Sequence, residues 1–260
     1  MTQLVLITGA SSGIGQALAL HYARRGDRLA LVARRTEMIK TWLDAHKINA
    51  DCYEIYSTDV VDTDGMVAMA KACMVRQGVP DVVIANAGIS IGVDSSVRSD
   101  LNIMARIFAT NVLGVAATFG PFIAAMVARG SGTLVGIGSV AGIRGLPGHG
   151  GYCASKAAVI SYCESLRGEL RQSGVKVVTL CPGYIATPLT HNNSYRMPFL
   201  MQPELFAERA SRAIDAGDSY RVIPWQMGML AKILRLLPNS WFDRLLSGRP
   251  RKPRVTDHLS

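Results

Sequence analysis

The 260-residue chain lacks any Cys-x-x-Cys pair, and its five cysteines and five histidines show no spacing that builds a metal site. Cys52, Cys73, Cys153, Cys163 and Cys181 are odd in number and scattered, which suits reduced thiols in a cytosol. The N-terminus has no basic region ahead of an apolar core, so no secretory leader is expected. Internal repeats and low-complexity linkers are missing too. No serine–histidine–acid order supports hydrolase chemistry. What remains is a chain that is 49% apolar and supplied with 25 glycines, long enough for one α/β domain with a substantial core.

One stretch invites a different reading. Ile107 to Ala128 is an uncharged run of 22 residues between Arg106 and Arg129, long enough to cross a bilayer. It contains Asn111, Gly114, Gly120 and Pro121, and lies where alternating strands and helices require a helix buried against a sheet. A core helix is therefore expected.

Apolar and β-branched runs alternate with helical stretches, the pattern of βαβ units around a parallel sheet. Strands are expected at Leu4–Thr8, Arg28–Ala33, Asp51–Tyr56, Val82–Asn86, Thr133–Gly138, Val175–Cys181 and Arg221–Ile223. Helices are expected at Gly13–Arg25, Glu37–His46, Thr63–Gln77, Ser99–Ala128, Tyr152–Ser173 and Pro203–Ala216.

Between the first strand and first helix stands Thr8-Gly9-Ala10-Ser11-Ser12-Gly13-Ile14-Gly15. Strand, glycine turn and helix N-terminus form an anion site, where backbone N–H groups and the helix dipole face a pyrophosphate. The spacing of Gly9, Gly13 and Gly15 departs from G-x-G-x-x-G. Further on, Tyr152 and Lys156 are four residues apart, on one helix face. A free phenol titrates near pH ~10, and a neighbouring ammonium is expected to lower that toward the range useful for general acid–base catalysis. Ser139 lies thirteen residues before Tyr152. Cys153 reads as a small helix residue rather than a nucleophile.

With Asn86-Ala87-Gly88 and Pro182-Gly183 in the same order, residues 1–220 resemble the short-chain dehydrogenase/reductase family, in its short single-domain branch. The resemblance implies a doubly wound Rossmann sheet of about seven strands, order 3-2-1-4-5-6-7, and a nicotinamide-dependent oxidoreductase. Carried over by position, Ser139 polarises the substrate carbonyl, Tyr152 exchanges the proton, and Lys156 binds the nicotinamide ribose. Asn111 helps to hold a water in a proton relay. The cofactor would lie along Gly9, Ser11, Ser12, Gly13, Ile14 and Gly15. It would continue past Asp59 and Val60, then Asn86, Ala87 and Gly88. Pro182, Gly183, Ile185 and Thr187 would meet its nicotinamide end. Asp59 has a second reading, as a cap of the turn after the third strand.

The end of the second strand bears on cofactor choice. NAD-binding units place an acidic residue there, on the ribose 2′-hydroxyl. This strand runs Leu31-Val32-Ala33-Arg34-Arg35, which points to NADP(H), with NAD(H) left open. Ser12 stands where many NADP-preferring relatives carry a basic residue. The expected substrate is a small hydrophobic ketone, aldehyde or alcohol, extending to lipid-like keto-sphingoid or keto-acyl compounds. The basis is the apolar content of residues 188–202, read as a mobile lid. His149 joins Ser139 and Tyr152 as a pocket-lining candidate. No metal is expected.

Residues 221–260 hold eight Lys/Arg and two Asp/Glu, +6 of the chain's net +9. Residues 1–223 read as the dinucleotide-binding and catalytic domain, and 224–260 as an apolar and basic extension. In the first half of that extension, Met227, Met229, Leu230, Ile233, Leu234, Leu236 and Leu237 read as one apolar face, with Gly228, Lys232 and Arg235 opposite. Tryptophans and a basic end fit a peripheral anchor on an anionic membrane. A flap over the pocket and a subunit contact stay open beside it. A cytoplasmic enzyme, peripheral at the inner face of a membrane if the anchor reading holds, is the expected setting. Nucleic acid is not expected as a partner, since the basic end lacks an aromatic stacking platform. A homodimer or homotetramer is expected through the uncharged helix and the Tyr152 helix. The alternative to an enzyme, a non-catalytic NADP(H)-binding sensor or scaffold, fits less well with Ser139, Tyr152, Lys156 and Asn111 all present.

Overall fold

The computed structural model describes residues 2–191, 193, 195–248 and 252–254. Seven strands form one sheet in the order β3-β2-β1-β4-β5-β6-β7: β1 Leu4–Thr8, β2 Arg28–Ala33, β3 Tyr53–Ser57, β4 Val82–Ala85, β5 Gly132–Ile137, β6 Val175–Pro182 and β7 Tyr220–Ile223. Every pairing is parallel, as in Val5 against Leu29 on one side and Val82 on the other. Central strands covered on both faces need continuous apolar sequence, which is why β1 reads Leu-Val-Leu-Ile-Thr and is buried throughout.

Alternation along the strands divides the core in two. Val5, Ile7, Leu29 and Leu31 meet α1 (Gly13–Arg24), α2 (Thr36–Ala45) and α8 (Pro203–Ala216) through Leu18, Tyr22, Leu43 and Phe206. Leu6, Val83 and Leu134 face α3 (Thr63–Arg76), α5 (Gly114–Arg129) and α6 (Gly150–Glu169) through Met66, Phe119, Phe122 and Val159. The uncharged run becomes the end of α4 (Asp100–Phe108), a π-helical turn at Ala109–Leu113, and most of α5. Val115, Phe119, Phe122 and Met126 recur at helical spacing and are all buried in that second layer.

Several boundaries differ from expectation. The third strand starts at Tyr53 instead of Asp51, because Ala50–Cys52 is a 3₁₀ turn in which Asn49 accepts the Asp51 N–H at 3.1 Å. The Tyr152 helix starts earlier, at Gly150, and ends at Glu169. Residues 188–202 are tied to the exit of β6: Pro188–His191 forms the short α7, Ala186 N–H donates to Met201 O at 2.9 Å, and Met201 N–H to Tyr184 O at 2.9 Å.

The extension folds back on the sheet as α9 (Trp225–Leu236) and α10 (Asn239–Leu246). Its orientation corrects the helical-face reading. Gly228 lies on the buried face of α9 with Met227 and Ala231, while Met229, Ile233 and Leu236 are exposed beside Lys232 and Arg235. The reason is close approach. A Cβ at Gly228 would stand 3.1 Å from the Val222 side chain, so the smallest residue sets which face docks. Arg144 holds both helices, donating to the carbonyls of Leu234 and Leu237 and stacking 3.8 Å over the Phe242 ring.

Candidate active site

The sheet order reverses direction between β1 and β4, and the carboxyl ends of the central strands open there onto a cleft of about 470 Å³. The glycine turn forms one wall. Gly9 (φ +69°) and Gly13 (φ +59°) occupy the left-handed region that glycine tolerates. Gly15 has a different reason: a Cβ there would collide with the Gly9 carbonyl and lie 2.5 Å from Asn86 Nδ2. No side chain caps the first turn of α1 and no acid lies in it, so its N–H groups and positive dipole end are available to an anion. Asn86 secures the turn by donating from Nδ2 to Thr8 O at 2.9 Å, while Thr8 Oγ1 accepts from the N–H groups of Asn86 and Ala87.

Ser11, Ser12, Ile14, Arg34, Arg35, Asp59 and Val60 continue this wall, and Ala87, Gly88, Pro182, Gly183, Ile185 and Thr187 carry it to the other end. A carboxylate does stand near the end of β2. Asp59 Oδ2 pairs with Arg34 Nη1 at 3.2 Å, and Asp59 Oδ1 accepts the Val61 N–H at 3.2 Å. It comes from the β3 exit, which sequence distance from Ala33 does not reveal.

At the far end, Ser139, Tyr152 and Lys156 converge from the β5 exit and α6. Ser139 is buried, accepts the Ala141 N–H at 3.1 Å through Oγ, and lines the same end of the cleft as Tyr152. Lys156 Nζ donates to Ile137 O at 2.7 Å and stands 5.8 Å from the centre of the Tyr152 ring. Asn111, fully buried in the π-helical turn, bridges three elements. Its Oδ1 accepts Ile89 N–H at 2.8 Å, and Nδ2 donates to Ile89 O at 2.9 Å and Ser155 Oγ at 3.0 Å. His149 lines the same end. Its Nδ1 lies 3.1 Å from Pro147 O, an acceptor, so that nitrogen carries the proton and Nε2 accepts from Tyr195 Oη at 3.1 Å.

The cleft fits a nicotinamide dinucleotide: an anion-receiving helix end, two guanidiniums at one extreme and a Ser/Tyr/Lys cluster at the other. The family model for short chain dehydrogenases matches residues 3–197. The chain belongs to the short-chain dehydrogenases. An uncharacterized oxidoreductase of Myxococcus xanthus is 39% identical over 238 residues, covering 92% of this dehydrogenase and 94% of that protein. A short-chain dehydrogenase/reductase of Burkholderia phymatum, solved in complex with NAD, aligns at TM-score 0.82 and 25% identity over 97% of both chains. An alcohol dehydrogenase of Thermococcus sibiricus, solved with 5-hydroxy-NADP, aligns at TM-score 0.74 and 26% identity over 86% of this chain and 96% of that one. This dehydrogenase is thus an NAD(P)-dependent oxidoreductase acting on CH–OH or C=O groups, and members of its family use small-molecule substrates and are commonly oligomeric.

The protonation pattern of the dehydrogenase reverses one expectation. Burial pushes the Tyr152 phenol up to about 12, opposed in part by the Ser139 hydroxyl, instead of down toward neutrality. The Lys156 ammonium is itself pulled down to about 8 by burial. Helical spacing puts both side chains on one face, but the β5 carbonyl of Ile137 takes the ammonium, and desolvation outweighs attraction. Cys153 is buried with its thiol pushed up by desolvation, an inert neighbour. Sequence reasoning missed Ser90, Ser155 and Lys252. Lys252 lines the cleft from 96 positions beyond Lys156, and no local pattern announces that.

Proposed function

We propose that the protein is an NADPH-dependent reductase of a hydrophobic ketone or aldehyde, with Tyr152 as the general acid. The observation that carries this reading is the convergence of Ser139, Tyr152 and Lys156 at the end of a cleft whose opposite end presents Arg34 and Arg35. The dinucleotide supplies the hydride when bound. Ser139 Oγ holds and polarises the carbonyl oxygen, and the Tyr152 hydroxyl delivers the proton to it. A phenol held at about 12 is protonated at neutral pH, which suits the reductive direction. Lys156 holds the nicotinamide ribose. The Ile185 main chain and Thr187 hydroxyl anchor the carboxamide, while Arg34 and Arg35 take the 2′-phosphate. Both N–H groups of the Asn111 amide are committed to Ile89 and Ser155, so its side chain has no N–H left to donate to a relay water.

Leu146, Tyr184, Leu189 and Tyr195 around His149 give the substrate end its apolar character. Exposed Leu101 on α4, Leu113 in the π-helical turn and Val127 on α5 support pairing with a second copy of the chain. Exposed Trp225, Met229, Ile233 and Trp241, flanked by Lys232 and Arg235, support contact of the extension with an anionic membrane surface.

The test of the reaction is Tyr152→Phe. Turnover of any carbonyl substrate should fall at least about a hundredfold, the usual scale for losing a catalytic acid, with the NADPH Kd nearly unchanged. A variant that keeps more activity than that removes Tyr152 from the role.

A further inference from the structure

Lys252 lines the cleft, and the Pro253 and Arg254 that follow it are fastened to the body of the fold. Gly92 N–H donates to Pro253 O at 3.2 Å, and Gly92 approaches the Lys252 carbonyl so closely that a Cβ would collide with it. Arg254 makes two hydrogen bonds to Asp100, from Nε at 2.7 Å and Nη2 at 2.9 Å, and the Asp100 side chain is only 3% exposed. Asp100 in turn accepts the Asp94 N–H at 2.8 Å. A paired, buried carboxylate of this kind is a firm anchor, since breaking the pair would strand a charge away from water.

That anchor sets Lys252 in the cleft wall. Its Nζ donates to Ser90 Oγ at 2.8 Å and Leu189 O at 3.3 Å, and its side chain lines the cleft with Leu146, His149 and Tyr195. An ammonium has three N–H donors, and these two neutral acceptors use two of them. Among the described residues no carboxylate pairs with Lys252. Its charge is felt by His149, whose imidazolium form is disfavoured chiefly by burial and further by Lys252. Burial alone pulls the Lys252 ammonium down to about 8, as expected of a cation without a counter-ion. A half-buried cation facing neutral groups is costly until an anion meets it.

We propose that Lys252 is a specificity-determining residue that receives an anionic group of the substrate, making the preferred substrate an otherwise apolar carbonyl compound that carries a carboxylate or similar anion. This rests on the carbonyl-reductase reading and narrows it. Leu146, Leu189 and Tyr195 take the apolar body, Ser139 and Tyr152 the carbonyl, and Lys252 the charge at the mouth. Arg34 and Arg35 line the other end, where the 2′-phosphate is assigned. The same ammonium could instead meet the cofactor's diphosphate, and the test separates the two.

The full-length protein, Lys252→Met and Lys252→Arg are assayed with NADPH on oxo fatty acids of graded chain length and on their methyl esters. Wild type should favour the acids over the esters by about tenfold or more in kcat/KM, the scale of one charge-assisted contact. Lys252→Met should erase that preference by raising KM for the acids alone, Lys252→Arg should keep most of it, and the NADPH Kd should not change in either. Equal losses on acids and esters, a wild-type preference for esters, or NADPH binding weakened as much as the acids would overturn the proposal, the last by assigning Lys252 to the cofactor. Calorimetric titration of the acids into wild type and Lys252→Met reads the anion contact without turnover. If acids bind through Lys252 but are not reduced, the reductase reading fails while the anion site stands.

Discussion

Replacing Arg34 by leucine tests the cofactor assignment at its most exposed point. The guanidinium is 67% exposed and already paired to Asp59 at 3.2 Å. A hydrogen bond from a guanidinium to a phosphate contributes roughly 1.5–3 kcal/mol where it is sheltered. At this exposure solvent screens it, and the Arg34–Asp59 pair, worth about 0.2–1 kcal/mol as a surface ion pair, must be loosened first. A net loss of about 1–2 kcal/mol remains, so NADPH should bind Arg34→Leu roughly five- to thirty-fold more weakly. NADH lacks the 2′-phosphate and should be nearly unaffected. Asp59→Asn removes the competing carboxylate and should move NADPH the other way, tightening it about two- to fivefold, on the scale of the surface pair it breaks. Adding Ala33→Asp to an Arg34 neutral variant should invert the cofactor order. Nucleotide fluorescence titrations give both dissociation constants, and added salt should narrow the wild-type gap between them. If Arg34→Leu leaves the NADPH-to-NADH ratio unchanged, or Asp59→Asn weakens NADPH, the phosphate is not read here.

Gly15→Ala should lower stability by about 1–3 kcal/mol, the usual cost of overpacking, seen as a Tm several degrees lower together with weakened dinucleotide binding; a wild-type Tm would show that Gly9 and Asn86 can yield. Lys156, held at about 8 in the folded protein and 10.5 when unperturbed, binds fewer protons folded than unfolded between those values, so its contribution to stability rises with pH across that window. Tyr152, raised to about 12, acts oppositely above pH 10. Dinucleotide affinity should fall as pH rises through about 8 because Lys156 loses its charge, and Lys156→Arg should abolish that limb; a limb that persists belongs to another group. Light scattering at micromolar concentration should find a dimer or tetramer that Leu113→Asp or Val127→Asp shifts toward monomer, and a monomeric wild type would refute the pairing surface.

The sequence by itself determined the strands, their parallel arrangement and the glycine turn. These depend on local rules: unbroken apolar runs for strands covered on both faces, φ-permissive glycine where the chain must reverse, and helical spacing that carries Tyr152 and Lys156 on one face. Ser139 follows directly on β5, and the exit of a central strand is fixed by the sheet. Tertiary structure alone decided where charges meet. Asp59 reaches Arg34 across 25 positions, Ile137 O claims Lys156 Nζ, and Lys252 arrives at the cleft because Arg254 finds Asp100 across 154 positions. The docking of α9 was hidden for the same reason. Helical periodicity named its apolar residues, but the width of the gap beside Val222 turned Gly228 inward and left Met229 and Ile233 outside. Periodicity records what a segment could bury, and desolvation, close contact and charge pairing between distant segments settle what it does bury.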